Sequence, residues 1–197
     1  MKIVYDLFVT ALYAVFVQNM VMSFGLGSSE AIRASSKPDR FISLAAMISG
    51  FSVATSVICK LIDMFTASAE LPYALRAAVY GGVLAGVYFI AAFAALVIFK
   101  ASKKAMGTLG ISALNTLVFA VPFINNTASY SFANCIGSGV GAGIAFVLAA
   151  ALISRGAARL AENKDIPAVF KGTPAMFIYV GILSLAFSGF ADSTLFS

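Results

Sequence analysis

Gln18 and Asn19 stand side by side in an apolar run that begins at Ile3. The run recovers over Met20, Val21 and Met22, then ends in Gly25, Gly27, Ser28 and Ser29. Carboxamides and a glycine break are costly in hydrocarbon unless protein or a polar cavity covers the freed backbone. Asn115 and Thr116 interrupt a second apolar run in the same way. Neutral oxygens and opened backbone of this kind hold a bound group by hydrogen bonds, or a small cation such as Na⁺ through carbonyls. Gln18, Asn19, Asn115 and Thr116 are therefore the candidate lining of a midplane cavity.

Other chemistry is scarce. Histidine is absent, which removes bis-histidine haem ligation and histidine zinc sites. Cys59 and Cys135 are the only cysteines. They form no CxxC pair and fall in apolar runs, so they read as packed thiols. No metal ligand is assigned. The acidic residues are Asp6, Glu30, Asp39, Asp63, Glu70, Glu162, Asp165 and Asp192, and none sits mid-span. A transporter working alone usually keeps an ionisable group within the membrane, so a self-sufficient carboxylate-driven carrier is disfavoured. Asp63 follows Lys60 by three residues, the spacing of a local helical ion pair.

The string IleGlySerGlyValGlyAlaGly, residues 136–143, lacks GxGxxG spacing and follows no soluble strand, so it is not a dinucleotide fingerprint. Gly137/Gly141, Gly139/Gly143 and Gly82/Gly86 each lie four residues apart. Small residues at that spacing let helices approach closely. These six glycines are expected to pack helices, within the chain or against a partner.

The elements that must position these residues follow from composition. The chain has 197 residues, 61% hydrophobic and 11% charged, with a mean hydropathy of +0.98. Soluble domains carry roughly 25% charged residues. This much apolar surface calls for lipid, and the reading is an all-α polytopic membrane protein with a single membrane domain. A cleaved signal peptide is not expected, since Asp6 lies in the first apolar run and no small-residue cleavage site follows. Runs long enough to span fall at about 3–25, 41–64, 73–99, 106–124, 130–154 and 174–193, or six spans. Ten of the thirteen Lys and Arg residues lie in the first, third and fifth loops. The positive-inside rule puts those loops in the cytoplasm and both termini outside. The net charge of +5 is thereby explained as orientation, without a nucleic-acid partner. Six spans divide into two inverted three-helix repeats, about 1–100 and 101–197. A shift of 96 residues sets Asn19 on Asn115, so the first and fourth helices are the interrupted ones.

Several motifs carry a family resemblance. They are PheValThrAlaLeu with GlnAsnMetValMet near the start, LeuGlyIle (109–111), GlyValGlyAlaGlyIleAlaPhe (139–146), IleProAlaValPheLysGlyThrPro (166–174) and GlyIleLeuSerLeuAlaPheSerGlyPhe (181–190). The chain resembles the Rnf/Nqr membrane-subunit family over nearly its whole length, in the branch that holds the A subunit of Rnf and the E subunit of Nqr. The resemblance implies six spans in inverted repeats, a bacterial or archaeal cell membrane, and a homologous partner of opposite topology (the Rnf E or Nqr D type). It also implies flavin-carrying and iron–sulfur neighbours, and electron transfer coupled to Na⁺ or H⁺ movement. In the family, the two interrupted helices each give a cysteine to a [2Fe-2S] cluster shared with the partner.

At those places this sequence departs. The first cysteine position falls at Ser29, or Ser28 with a one-residue slip; the second falls at Ala120 or Thr116. None is a thiol, so the cluster is expected to be absent or altered here. No flavin-attachment sequence of the SerGlyAlaThr type is present. The expected function is a membrane subunit of an Rnf/Nqr-type ion-translocating oxidoreductase that lacks its own cluster ligands. The alternatives are a cluster-free paralogue serving as a small permease or binding subunit, and a purely structural subunit.

Overall fold

A computed structural model of the chain describes residues 2–35, 38–66 and 72–191. Lys37, Glu70 and Asp192 lie outside the described residues, as do the last two residues of the sixth expected span. The described elements are helices: α1 (Lys2–Phe16), α2 (Met20–Phe24), α3 (Ser28–Ser35), a 3-10 turn (Pro38–Arg40), α4 (Phe41–Phe65), α5 (Tyr73–Val97), α6 (Lys103–Ala113), α7 (Thr116–Thr127), α8 (Phe132–Glu162) and α9 (Thr173–Ala191). Four segments are long and apolar enough to cross a membrane: α4, α5, α8, and α6 with α7 taken as one broken span. The apolar α9 is shorter, and the 15-residue α1 continues past a break into α2. This is the architecture of a polytopic helical membrane protein.

The sequence pattern ends the fifth span near residue 154, whereas α8 runs on to Glu162. Apolarity stops at Arg155, but GlyAlaAlaArgLeuAlaGlu is rich in good helix formers and the helix continues past the apolar segment. The helix α6 likewise starts at Lys103 rather than 106, because the Ser102 hydroxyl accepts the Ala105 N–H at 3.3 Å and caps it.

The helix α8 is the axis of the bundle, with α1 and α4 packed along it. Its alternating glycines divide between these two neighbours. A Cβ on Gly137 would strike the Leu7 carbonyl, and one on Gly141 would lie 2.7 Å from the Ala11 carbonyl oxygen, both on α1. A Cβ on Gly139 would sit 2.8 Å from the Val53 nitrogen, and one on Gly143 2.7 Å from the Ala45 carbonyl oxygen, both on α4. One string of glycines thus supplies two close helix contacts at the four-residue spacing. Gly82 and Gly86 on α5 differ: among the described residues, no atom beyond their chain neighbours and own helix backbone lies within 4 Å of a Cβ at either.

At one end of the bundle, Asp63 joins three helices. Its Oδ2 accepts from the Tyr80 hydroxyl of α5 at 2.5 Å and from Asn126 Nδ2 of α7 at 3.0 Å. Arg76 Nη1 donates to Asn126 Oδ1 at 2.6 Å. The ion pair expected between Lys60 and Asp63 does not form among the described residues. The fold offers Asp63 two donors from neighbouring helices, which a same-helix pairing could not foresee.

Candidate functional site

The first break is built around Asn19. Its side-chain Oδ1 accepts the Met22 N–H at 3.1 Å, capping α2, while its Nδ2 donates to the Val15 carbonyl at 2.8 Å. One carboxamide therefore closes the end of α1 and the start of α2, where backbone groups would otherwise be orphaned. Asn19 is fully buried. The five-residue α2 ends at Gly25 with φ of +69°, its N–H returning to the Met20 carbonyl. Glycine is the residue that takes this left-handed cap without strain. From α9, the Ser184 hydroxyl donates to the Met22 carbonyl at 2.6 Å, so the short helix is also tied laterally.

The second break repeats the device. Asn115 is buried, and its Oδ1 accepts the Leu117 N–H at 2.9 Å to cap α7. Its Nδ2 has no hydrogen-bond partner among the described residues. Asn19 and Asn115 thus cap the second half of each broken helix.

The two breaks meet. The Gly27 N–H donates to Thr116 Oγ1 at 2.9 Å, and a Cβ on Gly27 would lie 2.8 Å from Asn115 Oδ1. With φ of +74° at Gly27, both the backbone conformation and the close approach call for glycine. A cavity of about 430 Å³ opens between them, lined by Gly25, Gly27, Ser28, Ser29 and Glu30 from the first break and by Gly110, Ile111, Leu114, Asn115 and Thr116 from the second. The first residues of α3 and α7 both line it, so two helix N-termini contribute positive potential there.

Of the residues singled out from sequence, Asn115, Thr116 and Ser29 line this cavity; Gln18, Asn19 and Ala120 do not. Gln18 is half-buried in the link between α1 and α2, and Ala120 lies farther along α7. Glu30 supplies a carboxylate that the sequence pattern alone places in an ordinary loop. The signal that could have found it is its position directly after the glycine–serine break.

The donor set does not fit a [2Fe-2S] cluster. Clusters are held by soft thiolates or by histidine, and the cavity presents hydroxyls, one amide and one carboxylate. Cys59 and Cys135 are buried on α4 and α8 and do not line it. Among the described residues, no group of three or more His, Cys, Asp or Glu side chains could hold a metal ion.

The described helices are those of a polytopic membrane protein, with two helix breaks that converge on a polar cavity. Residues 7–193 match the family described as Rnf-Nqr subunit, membrane protein, and the chain belongs to that family. It is 30% identical over 192 residues to the A subunit of the Na⁺-translocating ferredoxin:NAD⁺ oxidoreductase complex of Acetobacterium woodii, covering 92% of this chain and 95% of that protein. It is 28% identical over 194 residues to the E subunit of the Na⁺-translocating NADH-quinone reductase of Pseudoalteromonas translucida, with the same coverage. A shorter stretch of 83 residues, 40% of each chain, is 41% identical to the A subunit of the proton-translocating ferredoxin:NAD⁺ oxidoreductase complex of Clostridium ljungdahlii.

Proposed function

We propose that this chain is an integral membrane subunit of an Rnf/Nqr-type complex that couples electron transfer to Na⁺ or H⁺ translocation, and that it contributes scaffold rather than cluster ligands. Its place is the cell membrane of a bacterium or archaeon, with six spans in two inverted repeats and both termini outside. Its partners are an opposite-topology homologue and the flavin-carrying and iron–sulfur subunits. Family membership and near full-length similarity to named complex subunits support this reading. One observation carries the second half. Ser28, Ser29 and Thr116 stand together where the two breaks meet, and the Thr116 hydroxyl is already engaged by the Gly27 amide. A hydroxyl spent on the scaffold, in a site without thiols, favours holding the two breaks together over ligating iron.

The cavity also favours a second reading. A polar recess of about 430 Å³ falls in the range that binds small molecules, as a cluster-free permease or binding subunit would need. Affinity purification from native membranes in mild detergent, followed by mass spectrometry, separates the two. Recovery of the homologue with flavin and iron–sulfur subunits is the expected result. Recovery of the chain alone, or only as a homo-oligomer, overturns the proposal and leaves the binding-subunit reading.

A further inference from the structure

Away from the helix breaks, one seam of the bundle is polar without being satisfied. Ser49, Ser52, Ser56, Cys59 and Asp63 recur along α4 at three- and four-residue spacing, which places them on one helix face. That face meets α7 and α8. Contacts of Ser49 with Val140 and Gly143, and of Val53 with Gly139, set α4 and α8 in antiparallel register. The register carries Ser52 to the level of Ser138, and Ser56 to that of Asn134 and Cys135. The bonds of Met47 to Ser112 and of Asp63 to Asn126 set α4 running alongside α6 and α7, which brings Asn125 to the level of Ile62, between Asp63 and Cys59.

Along this seam Ser52, Thr55, Ser56 and Ser138 are at most 1% exposed, and Asn125 is 3% exposed. Yet the hydroxyls of all four, both side-chain polar atoms of Asn125 and the Oδ1 of Asn134 have no hydrogen-bond partner among the described residues. A buried polar group left unpaired is costly, and bilayer offers no relief. Pro122 adds to the demand, since it has no N–H to give the Val118 carbonyl one turn earlier. The unpaired set mixes kinds. Asn125 lacks partners for both its donor and its acceptor, a combination that water meets and a bare cation does not.

We propose that the α4–α7–α8 seam holds a chain of ordered water, and that it opens at the pocket lined by Lys60, Asp63, Arg76, Asn126 and Ser129. From Asp63 to Ser52 is eleven residues, or about 16 Å of helix. That is roughly half of a ~30 Å hydrocarbon core. The seam is a hydrated half-path from the Asp63 end of the bundle to the membrane centre, in a chain whose spans carry no mid-membrane carboxylate. Water linked by hydroxyls and amides gives protons or small cations a polar route that dry packing denies them. The inference is independent of whether the broken-helix site holds any cofactor.

The two native thiols report on it directly, because Cys59 and Cys135 lie at this seam. Sealed membranes with the Asp63 face outward are exposed to Ag⁺, a small cation that reacts with thiols. They are then denatured, and the remaining free thiols are labelled with a maleimide. The expected result is that Ag⁺ protects Cys59 from labelling, that the bulky reagent applied alone to native membranes does not reach it, and that Asn125→Leu slows the Ag⁺ reaction by an order of magnitude or more. A cysteine placed in the dry apolar core, Ala149→Cys in a background lacking Cys59 and Cys135, stays fully labelled. Wild-type Cys59 and Cys135 that remain fully labelled after Ag⁺ overturn the proposal, and this arm needs no variant. Equal Ag⁺ reactivity at Cys59 and at the Ala149→Cys control overturns it as well, since that would report general breathing. The result does not depend on which subunits co-purify.

Discussion

The Gly27 amide donates to the Thr116 hydroxyl across 89 residues of chain, at 2.9 Å. This bond joins the ends of the two helix breaks. Thr116→Val keeps the side-chain shape and removes the acceptor, leaving a part-buried N–H unpaired. It should cost about 1–3 kcal/mol, read as a lower thermal midpoint of the detergent-purified protein. Thr116→Ser, which keeps the oxygen, should recover most of that loss. Equal stability of the two variants would show that the bond contributes little.

Gly27 and Gly86 make a contrasting pair. Gly27 has φ of +74° and faces the Asn115 carboxamide, so Gly27→Ala meets both backbone strain and a contact of 2.8 Å. Left-handed backbone alone costs a residue with a Cβ about 1–2 kcal/mol. Gly86 lies within α5 with open space around it, so Gly86→Ala should leave the isolated chain as stable or raise it by up to about 1 kcal/mol. Thermal unfolding of the two variants side by side checks the sign of each.

The glycines of α8 should behave as two separate contacts. Gly141→Ala pushes against the Ala11 backbone on α1, and Gly139→Ala against the Val53 backbone on α4. Overpacking of this kind costs about 1–3 kcal/mol per site. Gly181→Ala, with no neighbouring helix within 4 Å among the described residues, should be tolerated. Yield of folded protein after membrane extraction gives the ranking.

Asp63 provides a fourth test. Tyr80→Phe removes one of its two donors while keeping the ring, which packs edge-on to Phe123 at 4.8 Å between centroids. A hydrogen bond to a charged group is worth about 1.5–3 kcal/mol, so a clear loss of thermal stability is expected. Asn126→Leu should cost more, because Asn126 serves both Asp63 and Arg76. Tyr80→Phe with an unchanged midpoint would place the Asp63 network in solvent rather than in the helix seam.

Much of the fold is written in local chemistry. Two asparagines and the glycines near them announce both breaks, because residues that cap helix ends differ in kind from those that continue them. The division of Gly137–Gly143 between two neighbours is legible in sequence only as spacing; which helix each glycine touches depends on the tertiary arrangement. Gln18 and Asn19 look like equals lining a cavity when only their order is known. In the structure Asn19 spends both its polar ends on the backbone of its own break, and neither residue lines the cavity between the breaks. The serine stripe on α4 stands at helical spacing, but a single serine is tolerated in any membrane helix, so the stripe draws no notice in sequence. Its unpaired state is a property of three helices together. The partners of Asp63 are hidden for the same reason, as Tyr80 and Asn126 lie 17 and 63 residues away in sequence.

We propose that Thr116 ties the two breaks together through the Gly27 amide, and that Ser28, Ser29 and Thr116, which share the cavity, ligate no iron. The most direct test is iron and acid-labile sulfide per copy of this chain in the assembled complex, compared between wild type and Ser28→Ala/Ser29→Ala/Thr116→Ala. Only protein that remains assembled after size-exclusion chromatography is counted. Unchanged iron and sulfide in the triple variant is the expected result. Loss of about two irons per chain, the content of one [2Fe-2S] cluster, would contradict the account and make these hydroxyls ligands.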